Sequence, residues 1–359
     1  MPKITAIGTS TPTYRHRQED IMQFMLDANE LDEKNQKLLP ILYRRSGIET
    51  RHSVFPDFSL PRSQWDFFAN NGKIPSLERR MELYNQEAVD LSAEAILNCL
   101  QDTDIQQVTH LITVTCTGIS APGLDILLVK KLNLSPNIVR TSVNFMGCYA
   151  ALHALKIADA FSRADASAKV IVVCTELCTL HFQKTNNADS SSDAILSSTL
   201  FADGSAACLV TSEEEAKGLE IKQFYSKIAL SGQEDMAWQV SSSGFLMTLS
   251  NHVPKLVKEE IKNLLESSLA QLNLTVDKIT NWAIHPGGKN ILEAVEQSLD
   301  LTKTDLAKSY EVLKNYGNMS SSTILFVLKM MMEDSDKQGN IFAVAFGPGI
   351  TMESVILEK

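Results

Sequence analysis

The chain has 359 residues, of which 44% are hydrophobic and 21% are charged, the proportions of an ordinary globular protein with a large core. Its formal net charge of -10 disfavours a general role in binding nucleic acid or anionic membranes. No apolar stretch approaches the roughly 20 residues of a transmembrane helix, and the start lacks the apolar core of a secretory signal. We therefore expect a cytoplasmic protein without membrane insertion.

In chain order, the first 80 residues look irregular and polar, apart from an opening strand at Lys3 to Ile7 and a helix near Gln18 to Asn29. From Met81 onward the pattern becomes regular and occurs twice. The first pass predicts strand 110–114, helix 124–132, strand 139–143, a helix opened by Gly147 and Cys148, and strands 169–173 and 206–210. The second pass predicts strand 282–284, helix 291–299, an apolar run at 310–313, a helix opened by Gly317 and Asn318, and strands 341–345 and 353–357.

Two copies of a unit that alternates strands and helices imply a duplicated α/β fold with approximate two-fold symmetry. We assign one half to residues 1–215, which contain Cys148, and the other to residues 216–359, which contain His285 and Asn318. In such a duplication, corresponding strand ends and helix starts meet at the seam between the halves. Ligands favour these places in α/β sheets, so we expect the functional site at the seam.

Three motifs carry the chemistry, and each lies where an apolar run meets a small-residue helix start. They are Gly-Cys-Tyr-Ala-Ala around Cys148, His-Pro-Gly-Gly from His285, and Asn-Tyr-Gly-Asn-Met-Ser-Ser around Asn318. Singly, the cysteine could be an inert core residue, the histidine structural, and the asparagine a helix cap. Together, at matching places in the two halves, they favour acyl-thioester chemistry. We expect the helix start and a neighbouring imidazolium to lower the pKa of the cysteine and make it a nucleophile.

His285 and Asn318 can offer two hydrogen-bond donors to a thioester carbonyl oxygen. Loss of carbon dioxide from a malonyl thioester leaves an enolate, whose oxygen these donors would stabilise. The enolate carbon would then attack an acyl group held on Cys148. Because decarboxylation creates the carbanion without a strong base, the trio needs no carboxylate. The sequence therefore predicts an enzyme that builds carbon–carbon bonds.

The other four cysteines beyond Cys116 and Cys148 are less informative, because the six do not form the dense framework of a small secreted domain. We expect reduced thiols. Cys174 and Cys178 have a loose metal-like spacing, but no second pair follows and Cys174 ends an apolar run. Core cysteines are the favoured interpretation of both, and no metal site is predicted.

The motifs at Cys148, 285–288, 315–321 and 346–351 resemble those of type III polyketide synthases, the chalcone synthase-like family, in its bacterial form. The similarity runs nearly end to end. The resemblance implies a thiolase-type five-layered αβαβα fold and a homodimeric acyltransferase. It also implies an acyl-CoA starter, a malonyl-CoA extender and no cofactor beyond coenzyme A thioesters. Repeated condensation on Cys148, with His285 and Asn318 driving decarboxylation, would be followed by cyclisation to a pyrone, a resorcinol or a similar aromatic polyketide.

The resemblance also implies a substrate pocket. Phe201 matches the family's gatekeeper phenylalanine, although ordinary core packing is an alternative for it. Met247 falls at the second gatekeeper position of the plant enzymes, and Trp238 falls where those enzymes have a small residue, so we expect a reshaped or shortened cavity. The remaining expected pocket residues are Cys116, for which packing is the favoured alternative, Thr117 and Ser320.

For the coenzyme A phosphates, Arg45 has a clear counterpart among the basic residues of the plant enzymes. Gly287 and Lys289 are the other expected contacts, and Arg51 is an alternative to Lys289. The segment 180–198 is shorter than in plant enzymes and rich in serine and asparagine, so it yields no pocket residue.

Two other functions remain open at this stage. A single-round condensing enzyme similar to ketoacyl synthase III would use the same cysteine, histidine and asparagine, and would release a lone β-ketoacyl product. An inactive structural partner of a condensing enzyme is a third hypothesis, against which the intact trio argues. The starter, the number of extensions and the mode of cyclisation depend on cavity shape and are not predicted.

Overall fold

The computed structural model describes residues 1–68, 75–101, 103–183, 192–335 and 338–359. Its strands are β1 (Lys3–Ser10), β2 (Tyr14–Arg17), β3 (Thr50–Ser53), β4 (His110–Thr115), β5 (Val139–Asn144), β6 (Lys169–Leu177), β7 (Asp203–Thr211), β8 (Leu219–Ile228), β9 (Met236–Ser241), β10 (Gly244–Leu249), β11 (Ile279–Ile284), β12 (Asn340–Gly347) and β13 (Thr351–Glu358). Its helices are α1 (Gln18–Ala28), α2 (Glu33–Arg45), α3 (Leu77–Leu100), α4 (Leu124–Lys131), α5 (Ala150–Ala164), α6 (Ser192–Ser198), α7 (Val253–Ala270), α8 (Lys289–Leu299), α9 (Ala307–Tyr316) and α10 (Thr323–Glu333).

Nine strands follow one hydrogen-bonded order, β11-β12-β13-β8-β1-β7-β6-β4-β5. In the first half, β4 and β6 are parallel, whereas β6–β7 and β7–β1 are antiparallel. The second half repeats this plan, because β11 and β12 are parallel and β12–β13 and β13–β8 are antiparallel. The two halves join where β1 meets β8 through the pairs Lys3↔Glu220 and Ile4↔Leu219. The repeated order confirms the duplicated α/β fold.

Five layers follow from the side on which each helix packs. Helices α5 and α10 contact strands of both halves and share one core with them, so they form the central layer. Helix α3 covers the outer face of the first half, and α7, with α8 beside it, covers the outer face of the second. Along β6, Val170 and Val172 face the central core, whereas Ile171 and Val173 face the outer one. This alternation is the period of a strand buried on both faces.

The duplication is incomplete in the part of the chain that the structure describes. Strand β5 of the first half has no counterpart there in the second half, because the run 310–313 lies within α9. Ser309, Val312 and Leu313 are the buried residues of this helix. Their spacing of three and four places one stripe against the core, which is a helical pattern.

The predicted opening strand and first helix are present as β1 and α1, but the expectation that the rest of the first 80 residues is irregular is wrong. That region also forms β2, β3 and helix α2, and it encloses an aromatic cluster around Phe24. The rings of Phe24 and Trp65 lie with centroids 4.4 Å apart, and Phe58 meets Phe24 edge-on at 4.9 Å. Because these aromatic residues come from turns as well as from helices, they show no period in the sequence.

None of the helices within the described ranges is long and apolar enough to cross a membrane.

The connection between β7 and β8 spans the point at which we divided the chain, between residues 215 and 216. The two halves share one sheet, so this boundary stays a prediction.

Candidate active site

Cys148 lies in a tight turn between β5, which ends at Asn144, and α5, which begins at Ala150. Gly147 has a φ of +83°, a left-handed conformation that favours glycine. A Cβ at Gly147 would also lie 2.2 Å from Cδ of Pro348, which belongs to the second half. Both the backbone conformation and the close approach of Pro348 therefore require glycine at this position. The helix starts later than the sequence predicted, so Cys148 precedes the N-cap residue Tyr149 rather than opening the helix.

His285 directly follows β11 and continues its ladder, since its backbone N–H donates to the carbonyl of Val344 at 2.9 Å. The chain then turns, and the N–H of Gly287 donates back to the His285 carbonyl at 2.9 Å. This turn leaves the imidazole inside the protein, where it is 1% exposed. Among the described residues, neither ring nitrogen has a hydrogen-bond partner. A buried imidazole on the cavity lining without a protein partner leaves its hydrogen bonds for a substrate.

Hydrogen bonds hold both the oxygen and the nitrogen of the Asn318 side chain, five residues before α10 begins at Thr323. Its side-chain oxygen Oδ1 accepts from the backbone N–H of Ser320 at 2.9 Å, and its Nδ2 donates to the carbonyl of Gly287 at 3.1 Å. An amide nitrogen carries two N–H groups, so one donor remains after the bond to Gly287. The predicted helix start at Gly317 and Asn318 is wrong, because a short 3₁₀ turn at Ser320–Ser322 comes first.

The three predicted catalytic side chains line one cavity of about 280 Å³. Sγ of Cys148 lies 3.9 Å from Oδ1 of Asn318. Gly287 connects the other pair, because its carbonyl binds the Asn318 amide while its N–H binds the His285 carbonyl. A thiol from the first half thus faces an imidazole and an amide from the second.

Burial sets the protonation states of this site. Desolvation raises the pKa of the Cys148 thiol to about 12; the hydrogen bond with Ser320 opposes the rise and the nearby Glu176 adds to it. Desolvation lowers the pKa of His285 to about 3. Both pKa shifts oppose the thiolate and imidazolium that we expected from the sequence. At neutral pH the free site contains an uncharged thiol and an uncharged imidazole.

Glu176, a fully buried carboxyl on β6, was not predicted as a functional residue. It accepts hydrogen bonds from the backbone N–H of Cys116 at 2.9 Å and from the hydroxyls of Thr117 at 2.9 Å and Ser321 at 2.6 Å. Burial raises its pKa, and these donors oppose the rise. Glu176 ties the turn after β4 to the turn that carries Asn318. A lone glutamate within an apolar strand was the sequence signal for such a role.

The predicted pocket residues Phe201, Trp238 and Met247 line the cavity. Trp238 and Met247 are cross-strand partners in the hairpin of β9 and β10, so their side chains lie side by side. The indole Nε1–H of Trp238 donates to the carbonyl of Cys116 at 2.7 Å, and the thiol of Cys116 accepts from the N–H of Gly147 at 2.9 Å. The remaining predicted pocket residues on the cavity lining are Cys116, Thr117 and Ser320.

Arg45, Gly287 and Lys289, the residues predicted to contact coenzyme A, also line the cavity. Nζ of Lys289 lies 3.4 Å from a carboxylate oxygen of Glu293. Arg51, the alternative, is 1% exposed and is bonded to protein oxygens, so it cannot reach a coenzyme A phosphate. Within the segment 180–198, residues 184–191 lie outside the described part of the chain.

Much of the cavity lining is apolar, and most of these apolar residues were not predicted from the sequence. The apolar residues not predicted there are Leu42, Leu196, Leu200, Met236, Leu249, Val253, Pro254, Ile291, Phe346 and Pro348. They come from helices, a hairpin and loops of both halves, so no single periodic pattern connects them. The lining favours an apolar acyl chain over a charged one.

The cysteines bear no disulfide, and all six are buried. Cys174 is 0% exposed and Cys178 is 5% exposed, and Cys178 reaches the cavity lining. Within the described ranges, no group of three or more histidine, cysteine, aspartate or glutamate side chains could hold a metal ion.

Family models match nearly the whole chain. Residues 2–214 match the N-terminal domain of chalcone and stilbene synthases, and residues 220–359 match the C-terminal domain of the same enzymes. The chain belongs to the chalcone and stilbene synthase family. It is a type III polyketide synthase and hence an acyltransferase, and enzymes of this family generally use acyl-CoA and malonyl-CoA.

Individual relatives agree with this assignment. The chain is 31% identical to the alpha-pyrone synthesis polyketide synthase-like Pks18 of Mycobacterium tuberculosis, over 99% of this chain and 90% of the relative. It is 30% identical to the type III polyketide synthase pspB of Penicillium soppii, over 99% and 96%. These proteins are similar to this type III polyketide synthase nearly end to end.

Solved structures confirm the fold. A crystal structure of PKS-I from the brown alga Ectocarpus siliculosus superposes with a TM-score of 0.91 at 25% identity, covering 100% of this chain and 98% of the other. The C-terminal type III polyketide synthase domain of Steely1 from Dictyostelium superposes with a TM-score of 0.89 at 25% identity, covering 100% and 99%. This type III polyketide synthase therefore has the thiolase fold of its relatives.

Proposed function

We propose that this type III polyketide synthase loads an acyl group from a coenzyme A starter onto Cys148 and extends it there with malonyl-CoA. Several extensions and a cyclisation would give a pyrone, a resorcinol or a similar aromatic polyketide. The observation that carries the proposal is the meeting of Cys148, His285 and Asn318 on one cavity, with Sγ of Cys148 3.9 Å from Oδ1 of Asn318. The thiol supplies the nucleophile, and the other two supply donors for a thioester oxygen.

Loading begins with two uncharged groups. As the starter thioester arrives, the Cys148 thiol gives its proton to a free nitrogen of His285, and the sulfur attacks the starter carbonyl. A bond from Sγ to the acyl carbon forms while the bond to the coenzyme A sulfur breaks. The imidazolium returns the proton to that sulfur, so coenzyme A leaves as a thiol. A neutral His285 with unpaired nitrogens suits this proton relay.

Extension uses the same donors at a different carbonyl. The thioester oxygen of malonyl-CoA lies between His285 and the free N–H of Asn318, which stabilise the enolate as carbon dioxide leaves. The enolate carbon then bonds to the acyl carbon while the bond from that carbon to Cys148 breaks, and the sulfur leaves as a thiolate that is ready for the next thioester. The lengthened chain returns to Cys148 for the next round, and each return releases one coenzyme A.

The cavity lining supports separate binding regions for the growing acyl chain and for coenzyme A. Apolar residues such as Leu196 and Met247 would surround the growing acyl chain, whereas Arg45 and Lys289 supply positive charge for the coenzyme A phosphates. Trp238 fills space at a position where the plant enzymes have a small residue. We propose that it limits the length of the chain that the cavity accepts. No cofactor beyond the coenzyme A thioesters enters these steps.

We also propose a cytoplasmic homodimer. A nucleophilic thiol and five further free cysteines suit a reducing compartment, which is also where acyl-CoA substrates occur.

The dimer is proposed to form through β5. This strand ends the sheet, so one of its edges has no strand partner in the described part of the chain. Its first residue, Val139, is 48% exposed, and an exposed strand edge next to apolar side chains is a ready site for pairing with a second copy.

The decisive experiment separates this proposal from a single-round condensing enzyme. The protein is incubated with malonyl-CoA and a panel of acyl-CoA starters, short and long, and products are identified by mass spectrometry. We expect cyclic products with two or more malonyl-derived units, and none from the Cys148→Ala variant. A lone β-ketoacyl product from every starter would support the single-round alternative and overturn repeated extension.

A further inference from the structure

Arg51 is a buried cation that the proposed reaction does not use. It lies on β3 and is 1% exposed, with its guanidinium between the rings of Tyr43 and Phe182, at 5.7 Å and 5.8 Å from their centroids. Desolvation lowers its pKa, which reflects the cost of removing a charge from water. A buried charge is retained where its hydrogen bonds replace the lost hydration, so its partners indicate its role.

Those partners are neutral oxygens, and two of them are carbonyls of one backbone turn next to the cavity. Nη1 of Arg51 donates to the carbonyl of Ser198 at 2.8 Å and to that of Phe201 at 2.6 Å. The two carbonyls bracket residues 198–201, which we call the wall turn. It begins at the last residue of α6, and Thr199, Leu200 and Phe201 within it line the cavity. A single guanidinium therefore spans both ends of the segment that carries the predicted gatekeeper.

Two more side chains from the same part of the chain support the wall turn. Gln18 accepts from Nε of Arg51 at 2.9 Å and donates from its own Nε2 to the carbonyl of Thr199 at 2.9 Å. The hydroxyl of Tyr43 donates to the carbonyl of Ser198 at 2.9 Å. All three side chains lie within the first 80 residues, and Tyr43 and Arg51 belong to α2 and β3, which were not predicted from the sequence.

The fourth carbonyl of the wall turn connects it to the catalytic centre. The backbone N–H of Asn318 donates to the carbonyl of Leu200 at 2.9 Å, and the N–H of Ala202 donates to the carbonyl of Asn318 at 2.9 Å. The stem of Arg51 also packs on the residue before Asn318, because a Cβ at Gly317 would lie 2.8 Å from Cγ of Arg51. Any shift of the wall turn therefore moves the backbone of Asn318 with it.

We propose that Arg51 is a positioning residue that fixes the wall turn against Asn318, and so sets both the size of the cavity and the geometry of decarboxylation. The proposal rests on the proposed function, since it assigns a role within that reaction. The planar guanidinium donates in a fixed fork to three acceptors here. A lysine ammonium keeps the charge but offers a single point on a flexible stem, so it cannot hold the same three oxygens in one geometry.

A matched control exists elsewhere in the chain. Arg80 is also fully buried, and like Arg51 it has a buried Nη2 without a hydrogen-bond partner among the described residues. It donates to the carbonyls of Pro75 at 3.0 Å and Phe182 at 3.3 Å, and to that of Leu180. None of these three residues belongs to the cavity lining. A loss of stability from a buried arginine alone should therefore appear in both variants, whereas a loss of positioning should appear only at Arg51.

The experiment compares Arg51→Lys and Arg80→Lys in the full-length protein, at a temperature at which thermal unfolding shows both variants to be folded. Three quantities are measured: acylation of Cys148 by intact mass, the rate of malonyl-CoA decarboxylation, and the distribution of product chain lengths. We expect Arg51→Lys to acylate as the wild type does, to decarboxylate about tenfold more slowly because Asn318 is displaced, and to shift the product distribution. We expect Arg80→Lys to decarboxylate at the wild-type rate, because none of its three acceptors bonds to Asn318.

Unchanged decarboxylation and product lengths in Arg51→Lys would overturn the proposal, and so would equal shifts in both variants. If Arg51→Lys does not fold, Tyr43→Phe removes one hydrogen bond of the wall turn, and it must shift the products in a smaller but parallel way. If the wild type forms no polyketide from any starter, the proposed function fails separately. Decarboxylation of malonyl-CoA without any starter then decides the role of Arg51, since its rate must fall in Arg51→Lys and stay constant in Arg80→Lys.

Discussion

The thiol of Cys148 and the imidazole of His285 are both uncharged in the free protein, because burial opposes charge on either one. Moving one proton between them would create two charges in a site that had none. That step becomes favourable only when the starter carbonyl is in place, since the negative charge then passes from sulfur to an oxygen that hydrogen-bond donors can bind. A resting thiol of this kind also resists stray alkylation and oxidation.

The raised pKa of Cys148 predicts how the free enzyme reacts with iodoacetamide. Only the thiolate is alkylated, and the pKa of the thiol is about 12. The alkylation rate of this residue, followed by peptide mass spectrometry, should therefore rise about tenfold per pH unit from pH 7 to pH 10 without levelling. A plateau below pH 8 would contradict the uncharged resting site. Free N-acetylcysteine, measured in parallel, provides the reference profile.

Two separate substitutions should affect starter loading and malonyl-CoA decarboxylation independently of each other. Cys148→Ala removes the sulfur that forms the thioester, so we expect no acyl-enzyme in an intact mass spectrum. Asn318→Ala removes one enolate donor and should slow malonyl-CoA decarboxylation by about 10²-fold while the starter still loads. Equal loading of wild type and Cys148→Ala would refute the assignment of the nucleophile.

Residues that carry a motif were accessible to sequence reasoning, whereas residues that act through packing were not. Cys148, His285 and Asn318 stand in unusual small-residue contexts, and the structure brings them to one cavity. Glu176 and Arg51 were missed or misplaced, because their roles depend on backbone groups far away in the chain. The protonation states were also wrong, since burial is a property of the fold and not of a local motif.

At the scale of secondary-structure elements, the hairpin of β9 and β10 forms one wall of the cavity. His181 holds it from behind, since its ring stacks on Phe245 at 4.1 Å and its Nδ1 accepts from the N–H of Phe245 at 3.1 Å. The hairpin thus presents Trp238 and Met247 side by side from a supported surface. A side chain on such a supported wall changes cavity volume without moving the catalytic trio.

Trp238→Ala should therefore lengthen the chains that the enzyme accepts or builds. The indole fills part of the cavity and bonds to the carbonyl of Cys116 at 2.7 Å, so its removal opens space next to the nucleophile turn. We expect kcat/KM for long-chain starters relative to short ones to rise about tenfold or more, as the relief of a steric limit allows. Val240→Ala, on the same hairpin but 55% exposed, should change nothing. An unchanged starter preference in Trp238→Ala would show that the indole does not limit length.

Elements with a strong period were predicted well, including β4, β6, α5 and β12. The helix boundaries beside the catalytic residues were wrong by a few positions, because tertiary contacts hold those turns open. At Cys148 the contact is Pro348 against Gly147, and at Asn318 it is the pairing with the wall turn. Local helix signals compete poorly with contacts of this kind.

At the scale of the whole molecule, the repeat in the sequence was sufficient to predict the duplicated fold and the seam. It could not reveal that the second half has a helix, α9, where the first half has the edge strand β5. The difference leaves β5 as one end of the sheet, with Val139 exposed by 48%. The two halves thus differ in the surface that they offer to a second copy.

We expect the protein in solution to have twice the mass of the 39.7 kDa chain. Light scattering after size-exclusion chromatography measures this directly. Val139→Lys places a charge on the exposed edge and should shift the protein toward the monomer. Val276→Lys, at a comparably exposed residue (43%) outside the sheet, should leave the mass unchanged. A wild type that stays monomeric at micromolar concentration would rule out pairing through β5.

The contact between Pro348 and the glycine before the nucleophile has a consequence for genetic complementation. The turn that presents Cys148 is shaped by a loop from the other half, and the imidazole and amide that serve it also come from that half. Two separate polypeptides, cut between β7 and β8, should each be inert. Coexpression should restore turnover only when the fragments reassemble. The two fragments could therefore serve as a split reporter, whose signal depends on reassembly of the two halves.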